Sequence, residues 1–174
     1  MQYARRDCLY FYFGDEKAMI ETSEELVIMK LEAEDRFDAI RQLCSLLEKE
    51  NYIGSKYCDA VIERENEYPT GLPSDGVFTA IPHAFSKDCT KTGIAVGILT
   101  HPVEFHNIAD PEDIVAVELV FLLANASGDD DHVEALGELM ECMSRPTMLE
   151  AIKAAETPAE VVEILRNCED YPEE

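Results

Sequence analysis

Ile114-Val115-Ala116-Val117-Glu118-Leu119-Val120-Phe121-Leu122-Leu123-Ala124 is an apolar run interrupted by a single charge. It is far shorter than the roughly 18 apolar residues that spanning a membrane requires, and it is rich in β-branched side chains. A continuous run of this kind reads as a central strand buried on both faces. Working outward, Gly93-Ile94-Ala95-Val96-Gly97-Ile98-Leu99 reads as a neighbouring strand whose glycines admit close packing. Val103-Glu104-Phe105 reads as a short separate strand, Val77 to Ile81 as a strand broken by Pro82, and Leu26 to Met29 as a short buried one.

Helices alternate with these strands. Ala33-Glu34-Asp35 opens one, acids in its first turn suiting the dipole, and Phe37, Ile40, Leu43, Cys44 and Leu47 form an apolar stripe that ends near Asn51. A second runs from about Ser55 to Glu65, and Pro69 stops it. Tyr68 to Gly76 is dense in Pro and Gly and reads as a loop. A helix opens near Asp131, with Val133, Leu136, Leu139, Met140 and Met143 on its buried side; another starts at Pro146. Thr157-Pro158-Ala159-Glu160 has the layout of a capping box. The order predicts the α/β class, a single domain with a mixed β-sheet flanked by helices. Its expected extent is residues 24–168, after an extension over 1–23 and before an acidic tail over 169–174 that frays. Leu9 to Phe13 in the extension fits an edge strand or an arm packed on a neighbour, and the sequence does not choose.

The 174 residues suffice for one core. Against 14 Lys and Arg stand 37 Asp and Glu, a formal net charge of -23. Such a field opposes nonspecific binding to nucleic acid or an anionic membrane; it either keeps the protein soluble or steers a basic partner towards it. The six cysteines are scattered singly with no C-x-x-C pair, which argues against a zinc ribbon or a thioredoxin-like site. Cys44 and Cys142 read as core side chains, and all six as reduced thiols of a cytoplasmic protein. With neither a signal peptide nor a transmembrane run, the chain reads as soluble.

Of four histidines, His83 stands out, because it leaves a strand just after a loop rich in Gly and Pro, where open α/β sheets place reactive groups. Pro82 stiffens the backbone beside it, and a neutral imidazole is a good nucleophile near neutral pH. The site is expected to present that ring to solvent. His101 and His106 have no spacing that supports a metal site, so no metal and no cofactor is expected.

Arg64-Glu65-Asn66-Glu67-Tyr68-Pro69-Thr70-Gly71, continued by Thr79-Ala80-Ile81-Pro82-His83-Ala84, resembles the signature of the enzyme IIA proteins of the phosphoenolpyruvate-dependent sugar phosphotransferase system, fructose–mannitol class. The likeness covers roughly residues 24 to 166 and is closest to galactitol-type members, which carry an R-E-x-E-aromatic-P-T-G stretch before I-P-H. It implies a mixed sheet flanked by helices and phosphorylation of His83. It implies a histidine-containing phosphocarrier protein as donor, a cysteine of enzyme IIB as acceptor, and a membrane enzyme IIC that moves the sugar. Arg64 falls where the family has an arginine near the active histidine, and His132 where several members have a second one. Phosphoryl transfer asks mainly for an in-line nucleophile and donors around three oxygens. Thr70, Gly71, Ser74 and Thr79 are the loop groups that could surround the phosphate. A regulatory protein that signals through phosphorylated His83 without feeding a transporter is the alternative.

Overall fold

The computed structural model describes residues 9–11, 20–126, 136–137 and 139–173. Seven strands make one mixed sheet: β1 (Leu9–Phe11), β2 (Ile20–Thr22), β3 (Val27–Leu31), β4 (Gly71–Leu72), β5 (Thr79–Ala80), β6 (Gly93–His106) and β7 (Ile114–Ala124). Their order is β1-β2-β6-β7-β5-β4, and β3 pairs with β6 further along the edge that β2 uses. The sheet is mixed because β2, β3 and β5 run parallel to their central partners while β6 and β7 form a long antiparallel pair.

β7 is central, as its composition predicts, but it is buried on both faces only from Leu119 to Ala124; Ile114 and Ala116 are exposed. Its one charge, Glu118, pairs with Lys153. The segments expected as two strands, Gly93–Leu99 and Val103–Phe105, are one strand with an irregularity: the step from Ile98 to Val103 faces the shorter step from Leu119 to Val117. A bulge changes which face a side chain takes without ending the pairing. Val117 accordingly packs in one core cluster and Leu119 in the other. Gly93 admits close approach as expected, since a Cβ there would lie 2.8 Å from the Glu21 carbonyl oxygen and 2.5 Å from the Tyr52 ring.

Helices α1 (Arg36–Lys49) and α2 (Tyr57–Glu67) cover one face. Asp35 caps α1 by accepting the Asp38 N–H at 2.8 Å, and Asn51, with φ 61°, turns the chain out of it in the left-handed region that Asn tolerates. α3 (Pro146–Ala154), α4 (Pro158–Arg166) and a helical turn at 139–143 cover the opposite face through Leu139, Met148, Leu149, Ile152, Val161 and Leu165. Met140, expected in the core, is instead partly exposed. Thr157 caps α4, but Glu160 reaches back to the N–H of Glu156, so the expected box closes one residue early.

One open reading is decided over its described residues, and two more expectations are revised. Leu9–Phe11 is the edge strand of the two readings left open, paired antiparallel with β2. As far as Glu173 the tail is held and does not fray: Arg145, 8% exposed, donates to the Tyr171 carbonyl and pairs with Glu173 at 2.6 Å. Cys142 and Cys168 form a disulfide, with Cα atoms 5.9 Å apart, in place of two reduced thiols. Their separation of 26 residues hides the pairing from any spacing rule, because the fold alone brings the helical turn and the chain end together. Among the described residues no helix is long and apolar enough to cross a membrane.

Candidate functional site

Helix α2 buries Tyr57, Val61 and Glu65, a stripe at four-residue steps, so Arg64, the residue before Glu65, falls on the flank that faces the end of β5. Beyond β5, Pro82 and His83 continue alongside β7: the Leu123 N–H donates to the Pro82 carbonyl at 3.0 Å, and His83 bridges to Leu123. Downstream, the Tyr57 hydroxyl donates to the Leu123 carbonyl at 2.8 Å and accepts the Ala84 N–H at 3.4 Å. The backbone on both sides of His83 is therefore fixed by the core.

His83 is not presented to solvent as expected. It is 4% exposed, because Arg64 stands over it: Nη2 of Arg64 is 2.9 Å from Nε2 of the ring. The other ring nitrogen, Nδ1, is 2.8 Å from the Ile81 carbonyl oxygen. A carbonyl only accepts and a guanidinium only donates, so these contacts assign the tautomer. Nδ1 carries the proton and Nε2 keeps its lone pair. Burial thus accompanies an aimed cation, and it leaves one nitrogen chemically competent.

Arg64 is itself framed by aromatic rings. Its guanidinium carbon lies 5.5 Å from the Tyr68 ring centroid and 5.6 Å from that of Phe85, both rings largely exposed. Such stacking holds the plane of the guanidinium while leaving its edge free to donate. Among the described residues Arg64 makes no ion pair with the acids around it, and its buried Nε has no hydrogen-bond partner. A cavity of about 260 Å³ opens beside it, lined by Ala60, Glu63, Arg64, Glu67, Tyr68, Ala84 and Phe85.

The loop groups read as phosphate donors are engaged in the fold. Thr70 is 2% exposed and its hydroxyl donates to Glu65 Oε2 at 2.7 Å; the Ser74 hydroxyl donates to the Val77 carbonyl. Gly71 and Thr79 sit in β4 and β5, which pair with each other, and a Cβ on Gly71 would lie 2.6 Å from the His106 carbonyl oxygen. The expected loop from Tyr68 to Gly76 therefore contains a strand, too short for periodicity to reveal. His132 lies outside the described residues. His106 Nδ1 donates to the Pro111 carbonyl at 2.7 Å and His101 is exposed on β6; among the described residues no cluster of His, Cys, Asp and Glu could hold a metal ion.

Sequence reasoning passed over Glu65, reading it as one acid among several on a charged helix. It is 2% exposed and accepts both the N–H and the hydroxyl of Thr70. The signal was its spacing, since it continues the Tyr57–Val61 stripe into the core. Burial pushes its carboxyl up to about 7, against lowering by the Thr70 hydrogen bonds and by Arg36 and Arg64. A folded-state value above the unfolded 4.5 means that the native protein holds this proton more tightly. The stability this contributes is fully present below the unfolded pKa and is lost as pH rises through about 7, amounting to about 3 kcal/mol. Urea unfolding of the wild type and Glu65→Gln at pH 4.5 and pH 8 checks this: the variant gains relative to the wild type as pH rises.

Comparison with known proteins places this geometry. Residues 22–168 match the family described as phosphoenolpyruvate-dependent sugar phosphotransferase system, EIIA 2. The chain is 31% identical over 132 residues to the transcriptional regulator ManR of Bacillus subtilis, an alignment covering 75% of this chain but only 19% of that regulator. It is 25% identical over 146 residues to the mannitol-specific phosphotransferase enzyme IIA component of Halalkalibacterium halodurans, covering 82% of this chain and 92% of that protein. In fold it is similar to the solved complex of enzyme IIAMTL and phosphorylated enzyme IIBMTL from Escherichia coli, with TM-score 0.71, 22% identity and coverage of 85% of this chain and 99% of that one. The α/β sheet, the histidine and the arginine set over it meet in one conclusion: the chain belongs to the EIIA 2 family of the phosphoenolpyruvate-dependent sugar phosphotransferase system.

Proposed function

We propose that this chain is a cytoplasmic phosphoryl relay that takes a phosphoryl group on His83 from a histidine-containing phosphocarrier protein and passes it to a cysteine of enzyme IIB. The observation that carries the reading is the pair of contacts on one ring, Ile81 holding the proton at Nδ1 and Arg64 meeting the lone pair at Nε2. In the first step the Nε2 lone pair attacks phosphorus and the P–N bond to the donor breaks, while the proton stays on Nδ1, hydrogen-bonded to the Ile81 carbonyl. In the second, the enzyme IIB thiolate attacks, the P–Nε2 bond breaks and the lone pair returns to the ring. No proton need leave the imidazole in either direction.

Arg64 is the electrostatic partner of both steps. As phosphorus approaches, the guanidinium slides from the lone pair to the equatorial oxygens, where its fork and its unpartnered Nε can donate. His132, beyond the described residues, is proposed as a second donor. Glu63, Glu67, Tyr68 and Phe85 beside the cavity favour a partner surface that brings basic and apolar side chains together. The net charge of -23 would speed encounter with such a partner.

The sugar served is a polyol of the galactitol type, on the strength of the Arg64-to-Gly71 stretch; relatives found by comparison are named for mannitol and fructose. The similarity to ManR favours a second reading, in which phosphorylated His83 is a regulatory signal. Handing radiolabelled phosphate from the phosphorylated chain to the cognate enzyme IIB and its membrane enzyme IIC separates the two. The relay predicts transfer within the turnover time of transport. Retention of label on this chain in the presence of enzyme IIB would favour the signal.

A further inference from the structure

Consecutive residues of α2 govern the two nitrogens of one imidazole. Arg64 acts on Nε2 directly. Glu65 is linked to Nδ1 at a distance, through a chain of hydrogen bonds that runs over Thr70 and Ile81. Its Oε1 accepts the Thr70 N–H at 3.0 Å and its Oε2 the Thr70 hydroxyl at 2.7 Å. The Thr70 carbonyl accepts the Ile81 N–H at 3.3 Å, and the Ile81 carbonyl accepts Nδ1–H of His83 at 2.8 Å. Ile81 is 2% exposed, so the orientation of its peptide is set by these contacts and not by water.

We propose that Glu65 is a positioning residue: by clamping Thr70 to α2 it orients the Ile81 carbonyl, and that carbonyl favours the Nδ1–H tautomer, which keeps the Nε2 lone pair for attack. The role is geometric. The links are hydrogen bonds, so what passes along them is orientation, and a neutral side chain of the same shape can supply it. A glutamine keeps both contacts, its amide oxygen accepting the Thr70 N–H and its NH₂ donating to the Thr70 hydroxyl oxygen. A methionine fills the space and supplies neither. Imidazole tautomers differ little in energy when free, so misorienting the one acceptor of Nδ1–H removes half of the selection and leaves Arg64 alone to oppose the Nε2–H form, whose Nε2 cannot attack.

The inference rests on His83 as phosphoryl acceptor only for its kinetic consequence; its tautomer is measurable without any phosphate. Long-range ¹H–¹⁵N correlation of the His83 ring is expected to show a single Nδ1–H form in the wild type and in Glu65→Gln, and a mixture in Glu65→Met. Phosphoryl acceptance by Glu65→Met should fall about tenfold, with Glu65→Gln near wild type. Should Glu65→Met fail to fold, Thr70→Val, which removes the hydroxyl contact alone, is expected to give a smaller share of the Nε2–H form. A folded Glu65→Met or Thr70→Val with an unmixed Nδ1–H ring overturns the inference. So does a Glu65→Gln ring as mixed as that of Glu65→Met. A wild type that takes no phosphate yet shows the expected tautomers would sink the proposed function and leave the positioning role standing.

Discussion

His83→Ala accepts no phosphoryl group from the phosphorylated carrier protein while its unfolding transition stays cooperative. The first half of that result follows from chemistry: with the ring gone, Arg64 remains as a cation with no nucleophile beneath it, and the nearby hydroxyls of Thr70 and Ser74 are donated to Glu65 and Val77. The second half follows from placement. The ring sits at 4% exposure, yet it closes the end of β5 and does not belong to either apolar cluster of the core. Its removal strands the Ile81 carbonyl and leaves Arg64 to rehydrate through the adjoining cavity, a cost of about 1–3 kcal/mol. Label uptake and urea denaturation on the same preparation check both halves. Uptake by the variant comparable to wild type would place the phosphate elsewhere.

Arg64→Ala is the second large effect, and its direction is less obvious. The guanidinium rests on the lone pair that must attack, so removing it uncovers Nε2 and could be imagined to help. Charge development decides otherwise. One preorganised donor aimed at a developing oxyanion contributes about 2.7–4 kcal/mol, that is, roughly 10²–10³ in rate. Covering a lone pair with a hydrogen bond that the approaching phosphoryl oxygens can replace costs far less, about 1 kcal/mol. Slowing of about 10²-fold is therefore expected, in donation to enzyme IIB as well as in uptake, because both steps pass the same transition-state charge. Arg64→Lys should recover only part of the rate, since an ammonium neither forks across two oxygens nor stacks between Tyr68 and Phe85. Rapid-quench rates of both steps measure this; a rate for Arg64→Ala within about twofold of wild type removes the arginine from the mechanism.

The parts of the fold that the sequence made legible are those where one physical signal dominates. Leu119 to Ala124 had to be a central strand because nothing else buries six successive apolar residues on two faces. The stripe of Phe37, Ile40, Leu43, Cys44 and Leu47 had to be one helix face, and all but the half-buried Phe37 are buried. Illegible parts depend on contacts between distant residues. β4 spans only Gly71–Leu72 and exists because β5 lies beside it. Cys142 meets Cys168, and Arg145 meets Glu173, only after the chain has closed on itself.

The site divides along the same line. His83 and Arg64 were picked out by local context and by resemblance, and the fold sets them 2.9 Å apart across 19 residues of sequence. Thr70 was chosen for the right property, a hydroxyl in a loop, but a hydroxyl goes to the strongest acceptor in reach, here a buried carboxylate. Nothing in a linear pattern shows that Glu65 points inward while Glu63 and Glu67 stay exposed, except its four-residue step from Val61. The burial of the imidazole was missed for a related reason. A strand exit was taken to mean an open ring, whereas Arg64 from another element roofs it.

The proposed relay depends on which atom takes the phosphorus. Incubation with phosphoenolpyruvate, enzyme I and the phosphocarrier protein, followed by heteronuclear NMR of the phosphorylated chain, reads it directly. The arrangement of Arg64, His83 and Ile81 predicts one acid-labile phosphoryl group, bonded to Nε2 of His83, with the proton still on Nδ1. A phosphate on Nδ1, on another residue, or on none would contradict it.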